Sequence, residues 1–281
     1  MDLSIFEYQF MQNAILSAFL GGIACATIGV FVVLMHMSFI GVCMAHAAFA
    51  GALLGLWLGF HPLIGAFLVS LLSAAIIGPL ADHGELSPET SVGVIFSLML
   101  GLAFLFMGLM PGTKSSAFEL LWGSILTNSR GDIMFLGIVA ALVLGLVFIF
   151  YKEIQATIFH RDMALAVGIP ATLILYGILF LTCATITASL RSIGGLLIFS
   201  LILNPAAAAY QLTYSMKRMF LLAAGFGVLS GWIGLLFSYL FNIPSGATIV
   251  VTSSVIFMIA AVLSPKRKVK RWLQKPLLEE R

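Results

Sequence analysis

The sequence predicts an all-α polytopic membrane protein of about nine transmembrane helices, with eight as the alternative count. Three observations carry this reading. Of 281 residues, 61% are hydrophobic and only 9% are charged, against about 25% charged in a soluble domain, so the chain cannot cover a water-facing surface. The mean hydropathy is +1.13. The apolar residues also gather into runs close to the ~20 residues that cross a bilayer core of about 30 Å, with short polar turns between them. Little chain is left for a soluble domain, so residues 1–281 read as one transmembrane domain ending in a basic tail, 264–281.

The runs are 14–35, 38–59, 62–81, 91–110, 133–151, 170–190, 193–210, 219–241 and 246–263. Ahead of the first stand Asp2 and Glu7 and no Lys or Arg. A cleaved signal peptide needs a basic leader, so this run is expected to be a permanent span. Phe60 and His61 leave room only for a tight turn between the second and third runs. Residues 118–127 (FELLWGSILT) are apolar but too short to span, and read as an interfacial helix anchored by Trp122, with a gate over a substrate path as the alternative. Residues 155–168 (QATIFHRDMALAVG) read as a short surface helix. Pro170 then opens the next span, where its missing N–H costs nothing. In the seventh run Asn204 and Pro205 predict a helix break, because a proline ring frees a carbonyl one turn earlier. Such a break either lines a cavity or is a packing kink.

Lys and Arg collect in cytoplasmic loops. The tail carries Lys266, Arg267, Lys268, Lys270, Arg271, Lys275 and Arg281, which places the C-terminus inside, anchored against anionic lipid. With nine spans, Lys152, Arg161, Lys217 and Arg218 join it there, while Lys114, Arg130 and Arg191 fall outside together with the N-terminus.

Inside the runs, apart from Tyr and Cys, His46 stands out as an ionisable side chain, near the middle of the second helix. A buried ionisable group in a membrane is costly and reads as a site facing the bundle interior; the plain alternative is an imidazole satisfied by a carbonyl. Its helix has an unusually small surface, with Gly41, a run of alanines and a doubled GxxxG spacing at Gly51, Gly55 and Gly59 that suits a close helix seam. Cys43 lies three residues before His46, so a thiol and an imidazole share one helix face as candidate metal ligands. Cys43 as a small apolar packer is the alternative. Cys25, Cys43 and Cys183 show neither zinc-module spacing nor a disulfide framework. Of the 13 methionines, Met35, Met37, Met44, Met99, Met107 and Met110 read as apolar filler, with a thioether path as the alternative. Asn242 heads a polar turn, residues 242–246, that offers oxygens to an outer vestibule. There is no GxxxxGK[ST], HExxH or GxSxG, so the chain is read as a non-enzyme driven by energy from elsewhere.

Four ordered segments carry a resemblance: residues 37–51 (MSFIGVCMAHAAFAG), 159–170 (FHRDMALAVGIP), 192–209 (SIGGLLIFSLILNPAAAA) and 243–251 (IPSGATIVV). Together they resemble the metal-type permease family of ABC importers, whose members carry zinc, manganese or iron(II). The resemblance implies a type II-like importer permease in the plasma (inner) membrane, paired as a homodimer with the substrate path at the two-fold seam. It implies two cytoplasmic subunits that bind ATP and magnesium, an extracytoplasmic metal-binding protein, and no nucleic acid. Phe159, His160, Arg161, Asp162, Ala164 and Gly168 match the segment that couples to the ATPase.

Family members typically read GDxxxHA where this chain has Gly41, Val42, Cys43, Met44, Ala45, His46 and Ala47, and an aspartate before LPSG where it has Asn242. Two carboxylates are thus replaced, leaving a donor set better suited to a softer ion than Mn²⁺. Three readings follow: a transition-metal permease with His46 as transient ligand, a permease for a metal complex or other small solute, and a non-transporting scaffold or sensor.

Overall fold

The computed structural model describes residues 8–83, 88–110, 115–123, 125–195 and 197–266. Most of the basic tail, 267–281, lies outside the described residues. Among the described residues the chain is helical without strands: α1 (Gln9–Leu34), α2 (Ser38–Leu58), α3 (Pro62–His83), α4 (Pro88–Leu109), α5 (Ser115–Trp122), α6 (Arg130–Ile149), α7 (Tyr151–Phe159), α8 (Arg161–Ala166), α9 (Ala171–Ile193), α10 (Ile198–Leu212), α11 (Met216–Phe241) and α12 (Ser245–Val262), with a 3₁₀ turn at Ile125–Thr127. Each of the nine runs is a helix. Seven, α1, α2, α4, α6, α9, α11 and α12, are long and apolar enough to cross a membrane; Pro62–Ile77 of α3 and Ile198–Leu212 of α10 are shorter apolar helices. The chain is an integral multi-pass membrane protein.

Helices that are apolar all round belong in the interior of a bundle. α1 and α2 each bury 72% of their spanning window, whereas α4 buries 22% and turns most of its surface outward. α1 packs on α6, α10 and α11, α2 packs on α3 and α4, and α9 touches α1, α2, α3 and α6 between them. α12 closes against α10 and α11. The close approaches rest on glycine. A Cβ at Gly51 would overlap the carbonyl of Gly65 on α3, and one at Gly55 would press on Pro62. Gly51 and Gly55 therefore join α2 to α3 within the chain, while Gly59 ends α2 in the left-handed conformation and packs on nothing among the described residues.

The predicted break at Asn204–Pro205 is corrected by the structure. α10 runs unbroken through Pro205 to Leu212, and Asn204 donates its amide hydrogens to Ser253 and Ser254 of α12 at 3.0 and 2.9 Å. The chain instead breaks between Ile193 and Ile198, at the join of the sixth and seventh runs. Gly194 stands there at φ +96°, a conformation that a residue with a Cβ rarely adopts. α10, at 15 residues, is ~22 Å long, short of a full bilayer core.

What covers this turn is the segment read as interfacial. α5 presents Ala117 and Leu120 inward and leaves Trp122 exposed. Gly195 N–H donates to the Leu120 carbonyl at 3.0 Å, and Gly123, at φ +65°, meets Gly194 backbone to backbone. The N-terminus of α12 joins them, since a Cβ at Gly246 would lie 2.8 Å from the Ile193 carbonyl and 3.0 Å from that of Trp122. We call this the Trp122 end; α7, α8 and the α1–α2 corner form the Phe159 end.

Candidate transport site

His46 sits on α2 facing α4. Its Nδ1 lies 2.9 Å from the Val42 carbonyl one turn back, and its ring meets Phe96 edge-on at 4.9 Å. A carbonyl oxygen only accepts, so Nδ1 carries the proton and, in the neutral ring, the lone pair is on Nε2. This is how a backbone carbonyl orients a metal-ligating imidazole, and it is also how a structural imidazole is satisfied.

Cys43 is not paired with that imidazole by any hydrogen bond. It is fully buried, as are Met44 and Cys183. The Cys183 thiol donates to the Met44 sulfur at 3.6 Å, and Cys43 adjoins Met44 on α2. α2 thus divides its polarizable groups: sulfur goes to α9 and imidazole to α4. Among the described residues no group of three or more His, Cys, Asp or Glu is placed to hold a metal ion.

A cavity of about 850 Å³ opens at the Phe159 end. Met35, His36, Met37, Phe39 and Ile40 at the α1–α2 corner line it, with Glu89 and Val92 of α4, Ile158 of α7, Arg161 of α8, Ile178 and Leu179 of α9, and Phe199 of α10. His36 holds φ +55° and makes the turn that shapes its wall. The cavity lining includes Ile40 but not His46, which lies ~9 Å further along the helix axis. Between them Gly41 faces Phe199, whose ring would stand 3.2 Å from a Cβ at that position. Gly41 is small because an aromatic ring from α10 rests on it.

Asn242 is the C-cap of α11 in the left-handed conformation, φ +55° and ψ +42°. Asparagine tolerates this region better than most residues, so the backbone accounts for its presence here. Ser238 Oγ donates to the Ile243 carbonyl at 2.6 Å and tightens the same turn.

The segment 159–168 forms a helix–turn–helix. His160 caps the end of α7 and the start of α8 at φ −148° and ψ +72°. Ala164 is buried, and its carbonyl accepts from Ile169 N–H at 2.9 Å. Gly168, at φ +89°, turns the chain toward α9. Phe159, Met163, Leu165 and Val167 are exposed, Val167 at 81%, and Arg161 and Asp162 stand among them on α8. Exposed apolar side chains rimmed by charge are the marks of a docking surface. Sequence reasoning located this segment but missed Phe199, Phe96 and Cys183, which reach the site from other helices; the small size of Gly41 was the one signal in sequence for the first.

The chain is 33% identical over 265 residues to "Manganese transport system membrane protein MntC" of Listeria innocua, covering 94% of each. It is 30% identical over 262 residues to "Manganese import system permease protein ScaB" of Streptococcus gordonii, covering 93% of this chain and 94% of that one. Its fold is similar to a chain of the solved structure "PsaBC from Streptococcus pneumoniae in complex with Fab", with a TM-score of 0.85, 31% identity and coverage of 94% of this chain and 95% of that one. The description "ABC 3 transport family" matches residues 7–264, and the chain belongs to that family.

Proposed function

We propose that the chain is the transmembrane subunit of an ATP-driven importer for a transition-metal ion of the zinc, manganese and iron(II) class, manganese being the ion named for its full-length relatives. The observation that carries the reading is the cavity at the Phe159 end, lined by His36 and Ile40 at the start of the helix that carries His46, and by Phe199, which rests on Gly41. In this proposal the Phe159 end is cytoplasmic, α7 and α8 dock on partner subunits that bind ATP and magnesium, and the Trp122 end receives metal from an extracytoplasmic binding protein. Two such subunits pair, as a homodimer or with a related chain. His46 Nε2 is the transient ligand. Cys43 is a second contact and Asn242 an outer one. A single weakly held ligand favours release over storage.

A second reading has one observation in its favour. The described residues offer no cluster of three ligands, and Val42 stands where the resembling family carries aspartate, which suits a cargo that brings its own ligands. In proteoliposomes holding the chain with its ATPase partner, His46→Ala is expected to cut Mn²⁺ uptake at least tenfold. Uptake equal to the parent removes His46 as a ligand. Uptake of a chelate but not of the free ion favours the second reading, and uptake of neither by a stable, solitary protein favours a scaffold.

A further inference from the structure

The sulfur cluster between α2 and α9 plays no part in the reading above beyond Cys43 as a second contact, and it has the composition of a site. Cys43 and Met44 come from α2 and Cys183 from α9, and all three are completely buried. Cys183 Sγ lies 3.6 Å from Met44 Sδ. Ile40 and Leu179, one helical turn before Cys43 and Cys183, both line the 850 Å³ cavity. The cluster therefore sits just past the inner end of a cavity that opens to solvent. One turn further along α9, Thr187 is buried with no hydrogen-bond partner for its hydroxyl.

We infer that Cys43, Met44 and Cys183 form a binding site for a thiophilic monovalent d¹⁰ ion of the Cu(I) and Ag(I) class, bridging α2 to α9 at the inner end of the cavity. Two thiol sulfurs and a thioether are soft donors, which select such ions over hard divalent ones. They number three, enough for a two- or three-coordinate ion and one short of the tetrahedral set that structural Zn²⁺ takes. One thiol ionised against one positive charge leaves the site neutral, so a buried ion there carries no uncompensated charge. Binding expels one proton per ion. A bridged α2 and α9 could not part, so an ion held there would act on the carrier as an inhibitor. The assignment does not depend on which ion is transported.

The test uses the purified full-length chain in detergent and Ag⁺ as the probe, with bound metal measured by equilibrium dialysis and mass spectrometry. One Ag⁺ per chain is expected, with a higher melting temperature. Cys43→Ala and Cys183→Ala are expected to weaken binding at least a hundredfold and Met44→Leu about tenfold. Cys25→Ala, whose thiol lies 3.6 Å from Ser189 away from the cluster, is expected to bind as the parent does. Binding that survives both cysteine variants, that follows Cys25, or that is absent from the folded parent overturns the site. Should the cysteine variants fail to fold, Met44→Leu and the silver–sulfur coordination number from X-ray absorption of the parent decide it. Mn²⁺ uptake by the reconstituted complex is read separately, so loss of the transport reading and loss of this site are distinguishable.

Discussion

At the Trp122 end, backbone meets backbone. Gly123, Gly194 and Gly246 let the α5 loop, the α9–α10 turn and the start of α12 touch without side chains between them. Nearby, the Asn128 side-chain amide ties α1 to α9, donating to Ser17 at 2.9 Å and to Ser192 at 2.7 Å, while its backbone carbonyl accepts from the Asn13 side chain at 3.3 Å. The Phe159 end is hollow by contrast. Its cavity is walled by side chains, Met, Phe and Ile among them with His36, Glu89 and Arg161, its surface helices expose apolar residues, and its cross-ties are peripheral. Ser264 donates to Gln211, and Lys266 lies over the Tyr210 ring at 3.5 Å, where partial burial holds its ammonium below the ordinary lysine pKa. Backbone contacts have no rotamers to change, whereas side-chain walls do. The difference places rigidity at one end and the capacity to move at the other.

Four substitutions break or sharpen that contrast. Gly194→Val should do most, because it adds a branched side chain at φ +96° against the Trp122 backbone. Strain and overpacking together are worth about 4 kcal/mol, seen as a large drop in melting temperature or folded yield. A variant that melts with the parent would mean the Trp122 end is not rigid. Asn128→Leu leaves Ser17 and Ser192 without their shared donor and should cost about 2 kcal/mol; no loss would show that the glycine contacts suffice alone. Ser129 begins α6 with a capping box, accepting from Asp132 N–H at 3.2 Å while Asp132 accepts from Ser129 N–H at 3.0 Å. Ser129→Ala should cost about 1 kcal/mol by thermal melt. Met163→Asp, on the exposed face of α8, should change stability by less than ~0.5 kcal/mol yet abolish co-purification with an ATPase partner. A large stability loss there would mean α8 is a packed element and not a docking surface.

The helical bundle was legible because crossing a bilayer needs a length of apolar chain, and that length is written along the sequence. All nine runs are helices for that reason. The join between the sixth and seventh runs was drawn close to its place, 193–198, but the second break expected at Pro205 is absent. Pro205 signals one strongly, but only when a helix lacks other support, and Asn204 supplies it by bonding across to α12. Gly194 signals weakly, because glycine is common in membrane helices, and its positive φ is stabilised by a loop some seventy residues earlier in the chain. The doubled GxxxG announced a close seam without naming its partner, which is α3.

The candidate site divides in the same way. His46 was found from sequence because an imidazole inside an apolar run costs energy wherever it lies. The Phe96 ring against it, the Phe199 ring on Gly41 and the contact of Met44 with Cys183 came from elsewhere in the chain. By itself the sequence determined where the polypeptide is helical, which side chains are expensive to bury, and which segment stays polar at a membrane surface, because these depend on local composition. Tertiary structure alone decided which helix faces which, and so which donors share a site. Two residues more than a hundred positions apart meet only after helix packing has chosen among many small-residue surfaces of nearly equal fit.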